Sequence, residues 1–266
     1  MFSSSCHAAR VEITGSTEAA SKLILTAAGP SMHSLLFDLS LPTFRNYGRR
    51  WGYDVRAVEL EVDGAAADSH AQAAKWSKIG LLRKALMEYE LVLWLDADVL
   101  LLRDDEDIAV HLRSTDLHAL ALEHVPMEHR INPNTGVWLL RGPDSLKLLD
   151  AIENAGRQPG PWADQGAVLA ALGWDRGDDK YRWARPGQGN HFLASTSWLP
   201  TGWNQPFIGP RNDSDSYNSA ADSYADRPVV PAPHALHFMG LTPQARYVAM
   251  KAAVDVHQRV PVGAHQ

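Results

Sequence analysis

Cysteine is almost absent. Cys6 stands alone in 266 residues, so no disulfide can form within the chain and no thiolate metal site can be built. That scarcity fits a reducing compartment, and a cytoplasmic location is expected. Long apolar runs are missing too: none reaches the roughly 18 residues of a membrane span. No transmembrane anchor is therefore expected. The start, from Met1 to Ser21, lacks the basic-then-apolar order of a signal peptide and reads as a loose, small and polar tail. Positive charge is also scarce. Lys and Arg number 25 against 31 Asp and Glu, for a formal net charge of −6, so nucleic acid is not an expected partner. What remains is ordinary globular material, 45% hydrophobic and 21% charged, sufficient for one large α/β domain or two small ones. Nine tryptophans are an exception, Trp51 early and Trp76, Trp94, Trp138, Trp162, Trp174, Trp183, Trp198 and Trp203 later. Most are expected in packing, though indole faces also stack on sugars.

Short apolar runs alternate with helical patterns. Lys22 to Ala27 reads as the first buried strand. Ser31 to Gly52 carries apolar residues at helical spacing, interrupted at Pro42 and ended by Gly52. Tyr53 to Leu60 alternates like a strand, Val62 to Ala73 reads as a loop, and Trp76 to Glu90 as a helix. Leu91 to Leu95 is continuously apolar, as a central strand buried on both faces would be. A short helix over Asp107 to Arg113 and strands over Ala119 to Glu123 and Asn134 to Arg141 follow. Helices are then expected over Pro143 to Ala155 and Trp162 to Leu172. A last strand at Ala235 to Met239 and a closing helix over Gln244 to Val260 complete the pattern. Gly202 to Arg227 is poor in aliphatic residues and reads as long loops that wall a substrate. This order predicts an α/β sandwich with a mostly parallel sheet, in a single domain over 22–266 after the tail.

The most informative segment is Leu91-Val92-Leu93-Trp94-Leu95-Asp96-Ala97-Asp98. A buried strand delivers two carboxylates at its C-terminal end, the end where open α/β sheets bind ligands. Two acids so close repel unless a cation sits between them. Mg²⁺ or Mn²⁺ accepts such oxygens and bridges to diphosphates. Phosphatases of the haloacid dehalogenase type share the D-x-D after an apolar strand, with the first Asp as nucleophile, and Gly177-Asp178-Asp179 would then be their later acidic motif. Against that reading, Asp96 follows several elements rather than the first strand, and Leu100 stands where Thr or Val is usual. A non-catalytic sugar-nucleotide-binding protein is a further alternative.

Further motifs stand around this segment. Trp76-Ser77-Lys78-Ile79-Gly80-Leu81-Leu82-Arg83 precedes Trp94-Leu95-Asp96-Ala97-Asp98. Asn46-Tyr47 and Trp51-Gly52-Tyr53-Asp54 lie upstream. Asn134-Thr135-Gly136-Val137-Trp138-Leu139-Leu140-Arg141, Asp164-Gln165, Leu199-Pro200 with Asn204, and His237-Phe238-Met239-Gly240 lie downstream. In order and spacing, over about residues 23 to 240, this set resembles the galactosyl/mannosyl/xylosyltransferase family, which includes alpha-1,2-galactosyltransferases and mannan-polymerase subunits. Trp51 departs from the family's usual His, and the Leu-Pro to Asn interval is one residue short.

The resemblance implies a GT-A fold, with a nucleotide-sugar half over about 22–125 and an acceptor half over about 126–260. It implies a metal-dependent, retaining glycosyltransferase that moves a hexose or pentose from a nucleoside-diphosphate sugar, UDP before GDP, to a hydroxyl. Asp96, Asp98 and His237 would hold Mn²⁺ or Mg²⁺, with His234 a competitor for the imidazole role. Asp96 would also face the donor, and with Ala97, Thr26, Ala27, Asn134, Thr135, Gly136 and Gly240 would line its site. Lys78 would meet the diphosphate or the base, while Arg83 reads as a solvated charge. Asp164 would orient the sugar and Gln165 would stabilise positive charge at the anomeric carbon. Known eukaryotic members carry a membrane anchor that is not expected here. The acceptor is therefore expected to be a small molecule, a lipid-linked sugar or an oligosaccharide in a soluble, bacterial enzyme; a homodimer is compatible with this reading.

Overall fold

The computed structural model describes residues 6–14, 21–62, 67–125, 130–158, 163–175, 185–186, 190–207 and 232–259. Strands β1 (Cys6–Thr14), β2 (Lys22–Ala28) and β3 (Tyr53–Val62) are followed by β4 (Leu91–Leu95) and β5 (Val99–Leu101). Next come β6 (His118–Val125), β7 (Arg130–Arg141), β8 (Trp174–Asp175) and β9 (Arg185–Pro186). The last are β10 (Thr196–Leu199), β11 (Gln205–Pro206) and β12 (Ala235–His237). The helices are α1 (Leu41–Trp51), α2 (Ala67–Leu86), α3 (Leu146–Ala155), α4 (Ala163–Ala171), the short α5 (His191–Ala194) and α6 (Pro243–Arg259).

Seven strands form the central sheet in the order β1-β3-β2-β4-β7-β6-β10. β2 pairs parallel with both β3 and β4, while β7 is antiparallel to both β4 and β6. β10 is parallel to β6 and β1 antiparallel to β3. Hence β2, β3, β4, β6 and β10 run one way and only β1 and β7 the other, the mostly parallel sheet expected. Side chains alternate between faces, as the pleat requires. Ile24, Val55, Leu93, Leu95, Val137 and Leu139 pack with Leu41, Phe44 and Tyr47 of α1. Leu23, Leu25, Val92, Trp94, Trp138 and Leu140 pack on the other face with Ile79 and Leu82 of α2, Leu149 of α3 and Val168 of α4. Both faces are covered by helices, which makes an α/β/α sandwich. Each such side chain taken fully from water contributes about 1.5–3 kcal/mol before entropy is counted.

Some boundaries differ from expectation. Cys6–Thr14, expected in a loose tail, is an edge strand whose register runs from Cys6 opposite Val62 to Thr14 opposite Val55. Its β-branched Val11, Ile13 and Thr14 suit a strand, but only β3 gives them a partner. The stretch expected as a loop up to Ala73 is helical from Ala67, because alanine is the strongest helix former. Helix α1 follows without a break from a π-helical segment over Leu35–Ser40, has Pro42 as its second residue, and ends at Gly52 with φ 70°. Gly177-Asp178-Asp179, Trp162, Trp183 and positions 208–227 of the expected long loop lie outside the described residues. Among the described residues no helix is long and apolar enough to cross a membrane.

A small three-stranded sheet, β11-β12-β5, lies beyond the end of β4. β12 runs antiparallel to β5, setting His237 opposite Val99, and parallel to β11. This sheet brings the far end of the chain to the D-x-D turn.

Candidate metal and donor site

β4 ends at Leu95 after four buried residues, and Asp96 opens a tight turn, with Val99 N–H donating to its carbonyl (3.1 Å), that leads into β5. The turn is held from both sides. Asp96 N–H donates to the Gly136 carbonyl of β7 (2.8 Å), and the Ser40 hydroxyl donates to the Ala97 carbonyl (2.7 Å). Phe238 N–H donates to the Asp98 carbonyl (3.0 Å), fixing β12 beside the turn.

Asp96, Asp98 and His237 come together, each offering a ligand atom within 4.8 Å of the others. His237 Nε2 lies 3.3 Å from Asp98 Oδ1 and 4.0 Å from Asp96 Oδ2. Ligand atoms about 2.1 Å from one ion at right angles stand about 3 Å apart, so the set fits a small divalent cation. Two carboxylate oxygens and an imidazole suit Mn²⁺ or Mg²⁺ better than a soft metal. His237 Nδ1 lies 2.9 Å from Asn204 Oδ1. A proton given there leaves Nε2 to face the carboxylates, the arrangement by which an outer amide sets a ligating imidazole. Asp98 is buried, which opposes its charge, yet without an ion a protonated His237 and then Arg246 outweigh burial and hold its carboxyl at about 2. Arg246, from the first turn of α6, places Nε 3.4 Å from Asp98 Oδ2 and donates to the Phe238 carbonyl (2.9 Å). His234 is elsewhere. It stacks on Trp203 at 4.4 Å and faces Glu106 at 3.6 Å and Asp105 at 3.8 Å.

A second group adjoins the first. Lys78 of α2 is buried, with Nζ 2.9 Å from Asp164 Oδ2 and 3.1 Å from Asp96 Oδ1. It also donates to Thr135, to the carbonyl at 3.2 Å and to Oγ1 at 3.3 Å. Burial disfavours the ammonium, but Asp164 and Asp96 outweigh it and raise its pKa above the usual lysine value. Trp94 Nε1 donates to the same Asp96 Oδ1 (2.6 Å). Asp164, in the first turn of α4, also accepts from Thr135 Oγ1 (3.3 Å). Gln165 carries a buried Nε2 with no partner among the described residues.

The remaining candidates frame these groups. Asn134 Oδ1 accepts from Gly136 N–H (2.8 Å), and Asn134 Nδ2 donates to Met239 Sδ (3.2 Å). Gly240 takes φ 71°, which lets the chain turn from His237 into α6. Thr26 and Ala27 lie near the C-terminal end of β2, the same sheet end as Asp96, and the buried Thr26 hydroxyl has no partner among the described residues. Arg83 pairs with Asp150 (2.8 Å) and Glu153 (2.7 Å) on α3, a surface charge as expected. Sequence reasoning did not single out Trp94 as a partner of Asp96, nor Arg246. Asn204 stood in a quoted motif without a role.

No protein-family model matches the chain, and no curated protein matches it in sequence. Solved structures do. A glycosyltransferase involved in the glycosylation of the major capsid of PBCV-1 superposes with a TM-score of 0.53 at 15% identity, over 87% of this chain and 98% of that one. The WbbM bifunctional glycosyltransferase gives a TM-score of 0.53 at 8% identity, over 86% of this chain. This chain spans 47% of WbbM. The fold is therefore that of the GT-A glycosyltransferases.

Proposed function

We propose that this chain is a metal-dependent glycosyltransferase that moves a hexose or pentose from a nucleoside-diphosphate sugar to a hydroxyl acceptor. One observation carries the reading: Asp96, Asp98 and His237, from distant parts of the chain, converge at the C-terminal end of a central strand in a GT-A fold. A divalent cation held there would neutralise the charge that builds on a departing nucleoside diphosphate. Asp96 offers Oδ2 to the cluster while its Oδ1 is tied to Lys78 and Trp94. Asn204 orients His237, and Arg246 steadies the turn that carries it.

Thr26 and Ala27 are assigned to the base pocket, with UDP favoured over GDP. Ala97, Asn134, Thr135, Gly136 and Gly240 are assigned to the walls of the donor site. Asp164 Oδ2 is already engaged by Lys78 and Thr135, which favours orienting the sugar over attacking it. A buried amide donor without a partner costs about 1–3 kcal/mol, so Gln165 Nε2 is suited to a ligand oxygen beside the anomeric carbon. With one oxygen of each of Asp96 and Asp164 so engaged, front-face transfer with retention is the favoured course. The acceptor is a small molecule, a lipid-linked sugar or an oligosaccharide. The phosphatase reading is not favoured, since the aligned solved structures are glycosyltransferases and Asp96 is not a free nucleophile.

A thermal-shift panel of UDP-, GDP-, ADP- and dTDP-sugars with and without Mn²⁺, followed by donor hydrolysis, tests this. At least one donor should stabilise the protein only with the cation and then be hydrolysed. His237→Ala should lose both effects and His234→Ala keep them. Full turnover in EDTA would sink the reading, and binding without turnover would mark a non-catalytic sugar-nucleotide-binding protein.

A further inference from the structure

Lys78 invites the simple role of a cation reaching for a phosphate, but its surroundings argue otherwise. Its ammonium has three hydrogens and no other donor. Four acceptors already stand within 3.3 Å: Asp164 Oδ2, Asp96 Oδ1, the Thr135 carbonyl and Thr135 Oγ1. The side chain is 5% exposed, and the Trp94 ring lies 5.2 Å from Nζ on a further side. No N–H remains to offer a ligand. What Lys78 does is join two acids from distant parts of the chain, Asp96 at the end of β4 and Asp164 at the start of α4.

We infer that Lys78 is a positioning residue and not a donor ligand: it locks the D-x-D turn to the start of α4. The inference rests on the metal-dependent transferase reading above. Two carboxylates sharing a buried ammonium are held at one separation, and each has one oxygen pinned. For Asp96 the pinned atom is Oδ1, which turns Oδ2 toward His237. For Asp164 it is Oδ2, which sets the orientation of that carboxylate and of the helix turn carrying Gln165. Removing the ammonium leaves the buried Asp164 and the half-buried Asp96 to repel each other, and the more exposed Asp96 is free to swing away. The cation site should therefore loosen even though Lys78 touches no cation, as outer residues of metal sites commonly loosen them by about 10–100-fold.

The test compares wild type with Lys78→Met and with the charge-balanced double variant Lys78→Met/Asp164→Asn, which keeps the net charge of the group as it is in wild type should the single variant fail to fold. Mn²⁺ binding is titrated by electron paramagnetic resonance on protein without donor. Steady-state donor hydrolysis is then measured at saturating Mn²⁺. The expected result is at least tenfold weaker Mn²⁺ binding in both variants. In Lys78→Met, kcat should fall at least thirtyfold while the donor KM stays within threefold. Ethylammonium added to Lys78→Ala should restore part of the kcat, because a small ammonium can refill the gap between the acids. Unchanged Mn²⁺ affinity with a donor KM raised tenfold or more would make Lys78 a donor ligand and overturn the inference. So would variants that fold and match wild type in both measurements. If wild type itself binds no Mn²⁺ without donor and needs none for turnover, the transferase reading fails rather than the role of Lys78 within it.

Discussion

Gly136 and His237 occupy the same space: a Cβ placed on Gly136 would lie 2.2 Å from Cε1 and 2.8 Å from Nδ1 of His237. The imidazole reaches Asp96 and Asp98 only because residue 136 has no side chain. Gly136→Ala should displace the ring. Overpacking of this kind costs about 1–3 kcal/mol, so a melting temperature several degrees lower is expected, with Mn²⁺ affinity down at least tenfold by calorimetry. Wild-type affinity in Gly136→Ala would show that His237 is not a ligand.

Asn204 accepts from His237 Nδ1 and stands next to the small sheet rather than in it. Asn204→Leu removes the acceptor and should weaken Mn²⁺ binding by about 10–100-fold. Asn204→Asp keeps an acceptor and should retain affinity closer to wild type. Calorimetric titration of both variants checks the contrast; equal losses would mean that the carbonyl oxygen is not what orients the ring.

Far from the site, His118 is fully buried between Trp138 and Thr196. Trp138 Nε1 donates to Nδ1 (3.1 Å), and Nε2 pairs with Thr196 Oγ1 (2.9 Å), whose own hydroxyl donates to the Phe192 carbonyl (2.8 Å). This chain satisfies the neutral ring. Burial, partly offset by the Phe192 carbonyl and Asp116, pulls its pKa from 6.5 down to about 4. The unfolded chain therefore takes up this proton first as pH falls. The neutral imidazole contributes its full stability above about 6.5, of order 3 kcal/mol, and loses it as pH drops toward 4. Melting temperatures across pH 4 to 7 should climb more steeply in wild type than in His118→Gln. Parallel curves would sink the assignment.

Much of this arrangement was legible in the sequence because it is local. The apolar run Leu91–Leu95 is a strand buried on both faces, and Asp96 and Asp98 follow it as expected. Pro42 and Gly52 bracket α1 through their own backbone preferences. What was not legible depends on partners far along the chain. His234 and His237 look alike in sequence, and only the pairing of β12 with β5 puts one at the cluster and sends the other to Trp203. Lys78 and Asp164 are 86 positions apart, and nothing in either segment announces the other. Arg246 sits in an ordinary closing helix, and its reach to Asp98 comes from the turn at Gly240. The strand character of Cys6–Thr14 needed β3 as a template.

β4 also acts as a ruler. It is five residues long, and its side chains alternate between α1 on one side and α2 on the other. Losing a single residue from it would either send the side chains on one side of the deletion to the opposite layer or draw Asp96 back by about 3.3 Å, out of reach of both the imidazole and the ammonium. The length of that strand is thus as much a part of the chemistry as the acids it carries, and single-residue insertions or deletions between Leu91 and Leu95 should be among the least tolerated changes in the chain.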